Sequence, residues 1–246
     1  MAHDQDGERV GKSTRGQEIH HGHRDITGGW LRPAVFGAMD GLVSNVSLIS
    51  GVAGSNAGAR FVLLAGVAGL VSGALSMATG EYTSVRAQNE AMRREIDVER
   101  RELVHSPRAE LAELAGVYRR RGVEEALADE VARQLSLNPE TALEVHAREE
   151  LGVHPAELPS PMLAAVSSFG SFATGAVIPL LPYLFGAHSF VISAVLTAVA
   201  LFGVGVAVSR FTLRSPTYSG ARQLLLGAFA AAATYGIGAL VGTTVT

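Results

Sequence analysis

The sequence contains no cysteine. Disulfides, zinc–thiolate sites, iron–sulfur clusters and cysteine nucleophiles are therefore excluded. Lysine is almost missing: Lys12 stands alone against 19 arginines, a bias of composition and not of chemistry. Charge is scarce at 17% of residues, where soluble proteins carry about 25%. The net charge of −3 is too small for a nucleic-acid-binding surface. There is no H-E-x-x-H, no G-x-x-x-x-G-K-[ST] phosphate loop and no G-x-S-x-G elbow. No enzyme signature is left to build on, so a non-enzyme is expected.

What the chain does have is long uncharged sequence. Of its 43 Asp, Glu, Lys and Arg residues, 27 fall between Arg86 and Glu157, and none falls in 61–80, 158–209 or 223–246. A water-soluble fold does not hide runs of that length, whereas a bilayer core needs about 20 apolar residues in a helix. Leu31 to Ala53 supplies a first span with Asp40 inside it, and Arg60 to Tyr82 a second. The run 158–209 is too long for one helix and divides at Gly186-Ala187-His188-Ser189, and 223–243 supplies a fifth span.

The predicted architecture is an all-α membrane protein: five transmembrane helices with a helical cytoplasmic lobe inserted between the second and third. Residues 1–30 form a flexible polar tail in which His20, His21 and His23 read as solvated residues before they read as a metal site. No apolar stretch follows a basic start, so a secretory signal peptide is not expected. Residues 31–86 hold the first two membrane helices, 87–157 the lobe, and 158–246 the last three. Arginine in short loops sets orientation. The connection between the fourth and fifth spans carries Arg210, Arg214 and Arg222 with no acid. Those arginines and the lobe belong in the cytoplasm. The N-terminus is then cytoplasmic and the C-terminus outside.

Span two has no stop signal, and its helix is predicted to run unbroken to about Val104. Pro107, with Ser106 as its cap, starts a new helix that Gly122 ends. Further helices are predicted from Val123 to Leu135 and from Asn138-Pro139 to Gly152.

Three groups of residues can carry chemistry. Asp40 is a charge inside a membrane helix, at a cost of at least about 2.5 kcal/mol, and such residues are functional or paired. Met77 lies at a similar depth on the second span, so a carboxylate and a thioether can share one level. Ser44 and Asn45 are placed to line a path beside them. Glu81, at the membrane boundary, reads equally as an interfacial acid or as the mouth of a path. Gly37-x-x-x-Gly41 and Gly69-x-x-x-Gly73 have the spacing of close helix approach. In the lobe, Glu95, Glu99 and Glu102 share a helix face, and Glu110 and Glu113 repeat the spacing beyond Pro107. Facing carboxylates repel unless a divalent cation sits between them. On spacing alone, a solvated face paired with Arg94, Arg100 and Arg101 is the simpler reading.

The residues resemble a known family. Phe36-Gly-Ala-Met-Asp-Gly-Leu-Val-Ser-Asn45 looks like the first-helix signature of vacuolar iron transporters. Ala74-Leu-Ser-Met-Ala-Thr-Gly-Glu-Tyr82 looks like the second-helix signature of their bacterial members. The paired E-x-x-E motifs, Glu149-Glu-Leu-Gly152, Gly175-Ala-Val-Ile-Pro-Leu-Leu-Pro-Tyr183 and Arg222-Gln-Leu-Leu-Leu-Gly227 also match. The resemblance implies a five-helix homodimer that exports Fe²⁺, and often Mn²⁺, from the cytosol in exchange for protons. No permanently bound cofactor is implied; the metal is cargo. Path residues of the family fall on Asp40 and Met77. Ligands of its metal-binding lobe fall on Glu99, Glu102, Glu110, Glu113 and Glu150, which reverses the reading of the acidic face. Three positions depart from the pattern. A second-helix glutamate of plant members falls on Gly69, an acid near the start of the first helix falls on Gly29, and a methionine pair of the lobe falls on His146 and Ala147. His146 remains a candidate ligand, because imidazole suits Fe²⁺.

The expected function is thus proton-coupled export of Fe²⁺ or Mn²⁺ across a membrane, with a bacterial cytoplasmic membrane as the setting. The rival is a membrane-anchored metal sensor or storage accessory that does not transport. Asp40 separates the two, because an anchor needs no buried carboxylate.

Overall fold

The computed structural model describes residues 29–212 and 214–245. The His20, His21 and His23 cluster lies outside the described residues. The chain runs through helices α1 (Leu31–Gly54), α2 (Ala59–His105), α3 (Pro107–Arg120), α4 (Glu125–Leu135) and α5 (Pro139–Glu150). It continues with α6 (Pro161–Val177), a 3₁₀ turn (Ile178–Leu180), the short α7 (Leu181–Leu184), α8 (Phe190–Thr212) and α9 (Pro216–Val245). No strand occurs among the described residues. Five helical stretches are long and apolar enough to cross a membrane: Leu31–Gly54, the first part of Ala59–His105, Pro161–Leu184, Phe190–Thr212 and Pro216–Thr244.

The long second helix is unbroken as expected; its 47 residues span about 70 Å. Three details differ from the sequence reading. α9 begins at Pro216 and not near Gln223, because a proline is well placed at the first helical position and absence of charge marks only the apolar part of a helix. Arg222 therefore lies within α9 and Arg210 within α8, which leaves Arg214 in the connection. Ser106 precedes α3 but makes no side-chain capping bond. The third span is not one regular helix; Pro179 and Pro182 convert its end to the 3₁₀ turn and α7.

α1 is the centre of the membrane part and packs against α6, α9, α2 and α8. The α1–α6 seam is backbone on backbone. A methyl group added at Gly41 would collide with the Phe172 carbonyl oxygen, and one added at Gly175 with the Ala38 carbonyl oxygen. Small residues allow this approach, which lipid does not drive by hydrophobicity. Of the two glycine pairs, Gly37 and Gly41 seat α6, while Gly69 and Gly73 face Leu48 of α1 and Phe172 of α6. The outer faces of α2 and α9 stay apolar and exposed, at Phe61, Leu64, Leu225 and Phe229 among others, as lipid-facing helices require.

The part of α2 past Tyr82 forms one wall of the lobe, and α3 and α5 pack against it while α4 packs on α3. Leu114, Ala115 and Ala132 form its core, surrounded by Leu111, Tyr118, Leu135 and Val145. Asn138 caps α5, its Oδ1 accepting from the N–H groups of Glu140 at 2.9 Å and Thr141 at 3.2 Å. Gly122 and Gly152 turn the chain at φ +90° and +69°, where a side chain would be strained.

Candidate functional site

The lobe brings four ionisable groups from three helices to one point. Ligand atoms of Glu99 (α2), Glu110 (α3), His146 and Glu150 (α5) all lie within 4.8 Å of one another. His146 Nδ1 is 2.9 Å from Glu99 Oε1, 3.0 Å from Glu150 Oε1 and 3.8 Å from Glu110 Oε2. His146 is fully buried, Glu99 and Glu110 are buried, and Glu150 forms the open edge. One imidazole nitrogen can satisfy only one of three carboxylates through a single N–H. Glu99 Oε1 is left buried with no hydrogen bond, and so is His146 Nε2. Burial, reinforced by the Glu150 charge, pushes the Glu99 carboxyl up to about 7, against the opposing pull of His146. Burial and the Glu113 charge raise Glu110 in the same direction. Clustered carboxyls with raised pKa either hold protons or need a cation. Three oxygen donors and one nitrogen suit a borderline divalent metal.

α5 is fixed by a second contact. Arg121, at the end of α3, forks onto Glu149, with Nη1 donating to Oε1 at 3.0 Å and Nη2 donating to Oε2. Glu149 precedes Glu150, so this pair holds the turn of α5 that carries His146 and Glu150. Sequence spacing did not show it, because the partners are 28 positions apart on different helices.

Within the membrane part, Asp40, Ser44, Asn45, Leu48, Gly69, Gly73, Ser76, Met77 and Phe172 line a cavity of about 190 Å³. Ser44 Oγ donates to Asp40 Oδ1 at 2.5 Å. Asn45 Nδ2 donates to the Ala176 carbonyl at 2.6 Å, while its Oδ1 is buried and unpartnered. A methyl group at Gly69 would lie 3.0 Å from that oxygen and 2.5 Å from Leu48 Cδ2. Gly69 thus faces the same space as Asp40. The cavity offers one carboxylate, two hydroxyls, one amide oxygen and one thioether.

The depth match between Asp40 and Met77 is therefore a shared cavity. Ser44 and Asn45 line it too, and Glu81 does not. Ser76 and Phe172 line it without having been singled out; Ser76 follows Gly69 by two helical turns, a spacing that marks the same face of α2. In the lobe, Glu99, Glu110, His146 and Glu150 meet, while Glu95, Glu102 and Glu113 are exposed outside this group. Glu102 and Glu113 stand close enough to raise the carboxyls of Glu99 and Glu110. Gly29 takes φ +73°, a conformation that an acidic side chain rarely adopts.

Fold and site together define a five-helix membrane protein with a buried carboxylate–imidazole cluster in a helical lobe and a carboxylate–thioether cavity in its membrane part. The chain belongs to the VIT family, whose family model matches residues 31–239. It is 40% identical over 230 residues to the vacuolar iron transporter of Acanthamoeba castellanii, covering 88% of this chain and 80% of that one. It is 35% identical over 223 residues to vacuolar iron transporter 1 of Arabidopsis thaliana, covering 88% of each. Vacuolar iron transporter homolog 1 of rice (Oryza sativa subsp. japonica) is 37% identical over 221 residues, covering 87% of this chain and 74% of that one.

Proposed function

We propose that this protein is a proton-coupled transporter that exports Fe²⁺, and also Mn²⁺, from the cytosol. The observation that carries the reading is the cavity shared by Asp40 and Met77. A helix bundle that serves only as an anchor has no use for a carboxylate in its apolar part, where charge is costly. The names of the relatives support iron as cargo. On this reading the lobe lies in the cytoplasm, the side the arginine distribution favours, and captures the ion between Glu99, Glu110, His146 and Glu150. The ion then passes Asp40, whose carboxylate supplies charge, and Met77, whose sulfur supplies a soft donor. A proton on Asp40 removes the charge that holds the cation, so proton and metal compete for one site and exchange in opposite directions.

We read the working unit as a homodimer in a bacterial cytoplasmic membrane. Leu48, which lines the cavity, is 40% exposed on the single chain, and a partner helix would close that side.

The test is metal uptake into proteoliposomes with an imposed pH gradient. Fe²⁺ movement driven by protons on the opposite side is expected. Metal binding without any gradient-driven movement would replace this reading with that of a membrane-anchored sensor.

A further inference from the structure

A second cavity, of about 300 Å³, lies where the lobe meets the membrane part. Tyr82, Arg86, Asn89, Glu90 and Arg93 of α2 line it together with Ser160, Pro161 and Met162 at the start of α6. Its level along the bundle is set by charge. On α2 the uncharged run ends at Gly80 and charge begins with Glu81 and Arg86. On α6 the last charge is Glu157, just before the helix starts. Arg32 opens α1, and Arg210 lies near the end of α8. Charge thus begins on the lobe side of all four helices, where lipid headgroups lie when the apolar stretches span a bilayer.

The electrostatics of the cavity are uneven. Arg86 is compensated: its Nε donates to Glu90 Oε1 at 2.9 Å, and its Nη1 donates to the Tyr82 hydroxyl at 3.3 Å. Arg93 has no ion-pair partner among the described residues, so the cavity keeps one uncompensated guanidinium. Asn89 is buried and its Nδ2 donates to the Pro159 carbonyl at 2.8 Å, which ties the wall of α2 to the residues that open α6. The apolar rim is open, with Met162 61% exposed. A charged head with an apolar tail fits this combination: guanidinium inside, tyrosine hydroxyl at the wall, apolar edge toward lipid.

The geometry points to a binding site for the phosphate of an anionic phospholipid, held by Arg93 and Arg86 between α2 and α6. Basic pockets at this level bind anionic headgroups, and each arginine near the surface contributes about fivefold in affinity. The bound lipid braces the base of the long α2 helix against α6 at the point where the lobe leaves the membrane.

The experiment uses the full chain in a non-ionic detergent. Its thermal midpoint is followed while phosphatidylglycerol, phosphatidylcholine or inorganic phosphate is added. Saturable stabilisation by phosphatidylglycerol at concentrations well below those needed for phosphatidylcholine is expected. Arg93→Gln, a change at an exposed residue without partners, should weaken the phosphatidylglycerol response about fivefold. Glu90→Gln removes the competing acid and should strengthen it, a gain that misfolding cannot mimic. Equal stabilisation by inorganic phosphate supports the anion site and assigns it to free phosphate. Equal responses to the two lipids, or variants that bind phosphatidylglycerol as the wild type does, would overturn it.

Discussion

His146 of α5 and Glu99 of α2 meet at 2.9 Å inside the lobe, and neither His146 Nε2 nor Glu99 Oε1 has a hydrogen-bond partner. A buried polar pair left half satisfied is costly in an apolar setting. A cation between the two, shared with Glu110 and Glu150, would neutralise the carboxylates and use the imidazole as a donor.

The lobe should therefore divide its acids. Glu99→Gln or Glu150→Gln is expected to weaken Fe²⁺ or Mn²⁺ binding by at least about tenfold, the scale for losing an oriented group at a metal site. Glu95→Gln, at an exposed position outside the group, should leave binding unchanged. Titration calorimetry on the full chain decides; equal losses in all three would mean a diffuse acidic surface and no defined site.

Binding should release protons and strengthen as pH rises. Glu99 titrates near 7, because burial penalises its charged form and Glu150 repels it. Metal requires the carboxylate, so affinity should climb between about pH 6 and 8 and the proton yield should shrink over the same window. The stability of the metal-free lobe runs the other way. A carboxyl whose pKa is raised on folding stabilises below its unfolded value of 4.5, and that contribution is lost as pH rises through 7. Thermal melting across pH 5 to 8, with and without Mn²⁺, should show opposite slopes.

Asp40→Asn keeps the shape of the side chain and removes its charge. Uptake should fall by at least about tenfold, while the fold and lobe binding persist. Wild-type rates would remove Asp40 from the path.

Met77→Leu conserves volume, so packing against Ala74, Phe172 and Ala176 should cost under about 1.5 kcal/mol. The loss of the thioether should slow Fe²⁺ transport and narrow discrimination against Mg²⁺ and Ca²⁺, which gain nothing from sulfur. Paired anaerobic uptake with those ions as competitors measures it, and unchanged selectivity would make Met77 packing alone.

Gly41→Ala tests the seam between α1 and α6. The new methyl group collides with backbone at Phe172, which cannot rotate away. Overpacking of this kind destabilises by about 1–3 kcal/mol. Gly80→Ala meets nothing within 4 Å and should be neutral or mildly stabilising by helix propensity. Thermal melting in detergent compares the two.

The sequence by itself determined the five spans, the unbroken α2 and the helical lobe. Each follows from local quantities: uncharged run length against bilayer thickness, and proline and glycine as helix punctuation. It also located Asp40, since a charge inside an apolar run stands out without any structure. Helix ends were read less well, as α9 shows, because charge marks the apolar stretch and not the backbone boundary. The tertiary structure alone decided which acids converge. Glu95, Glu99 and Glu102 lie on one helix face and look alike in spacing, yet only Glu99 is turned beneath α5 and buried beside His146. Helical periodicity gives the face of one element, but which residue of that face is covered depends on how a neighbour distant in sequence is rotated. Here the Arg121–Glu149 pair joins the end of α3 to that turn of α5, and no local pattern connects its partners.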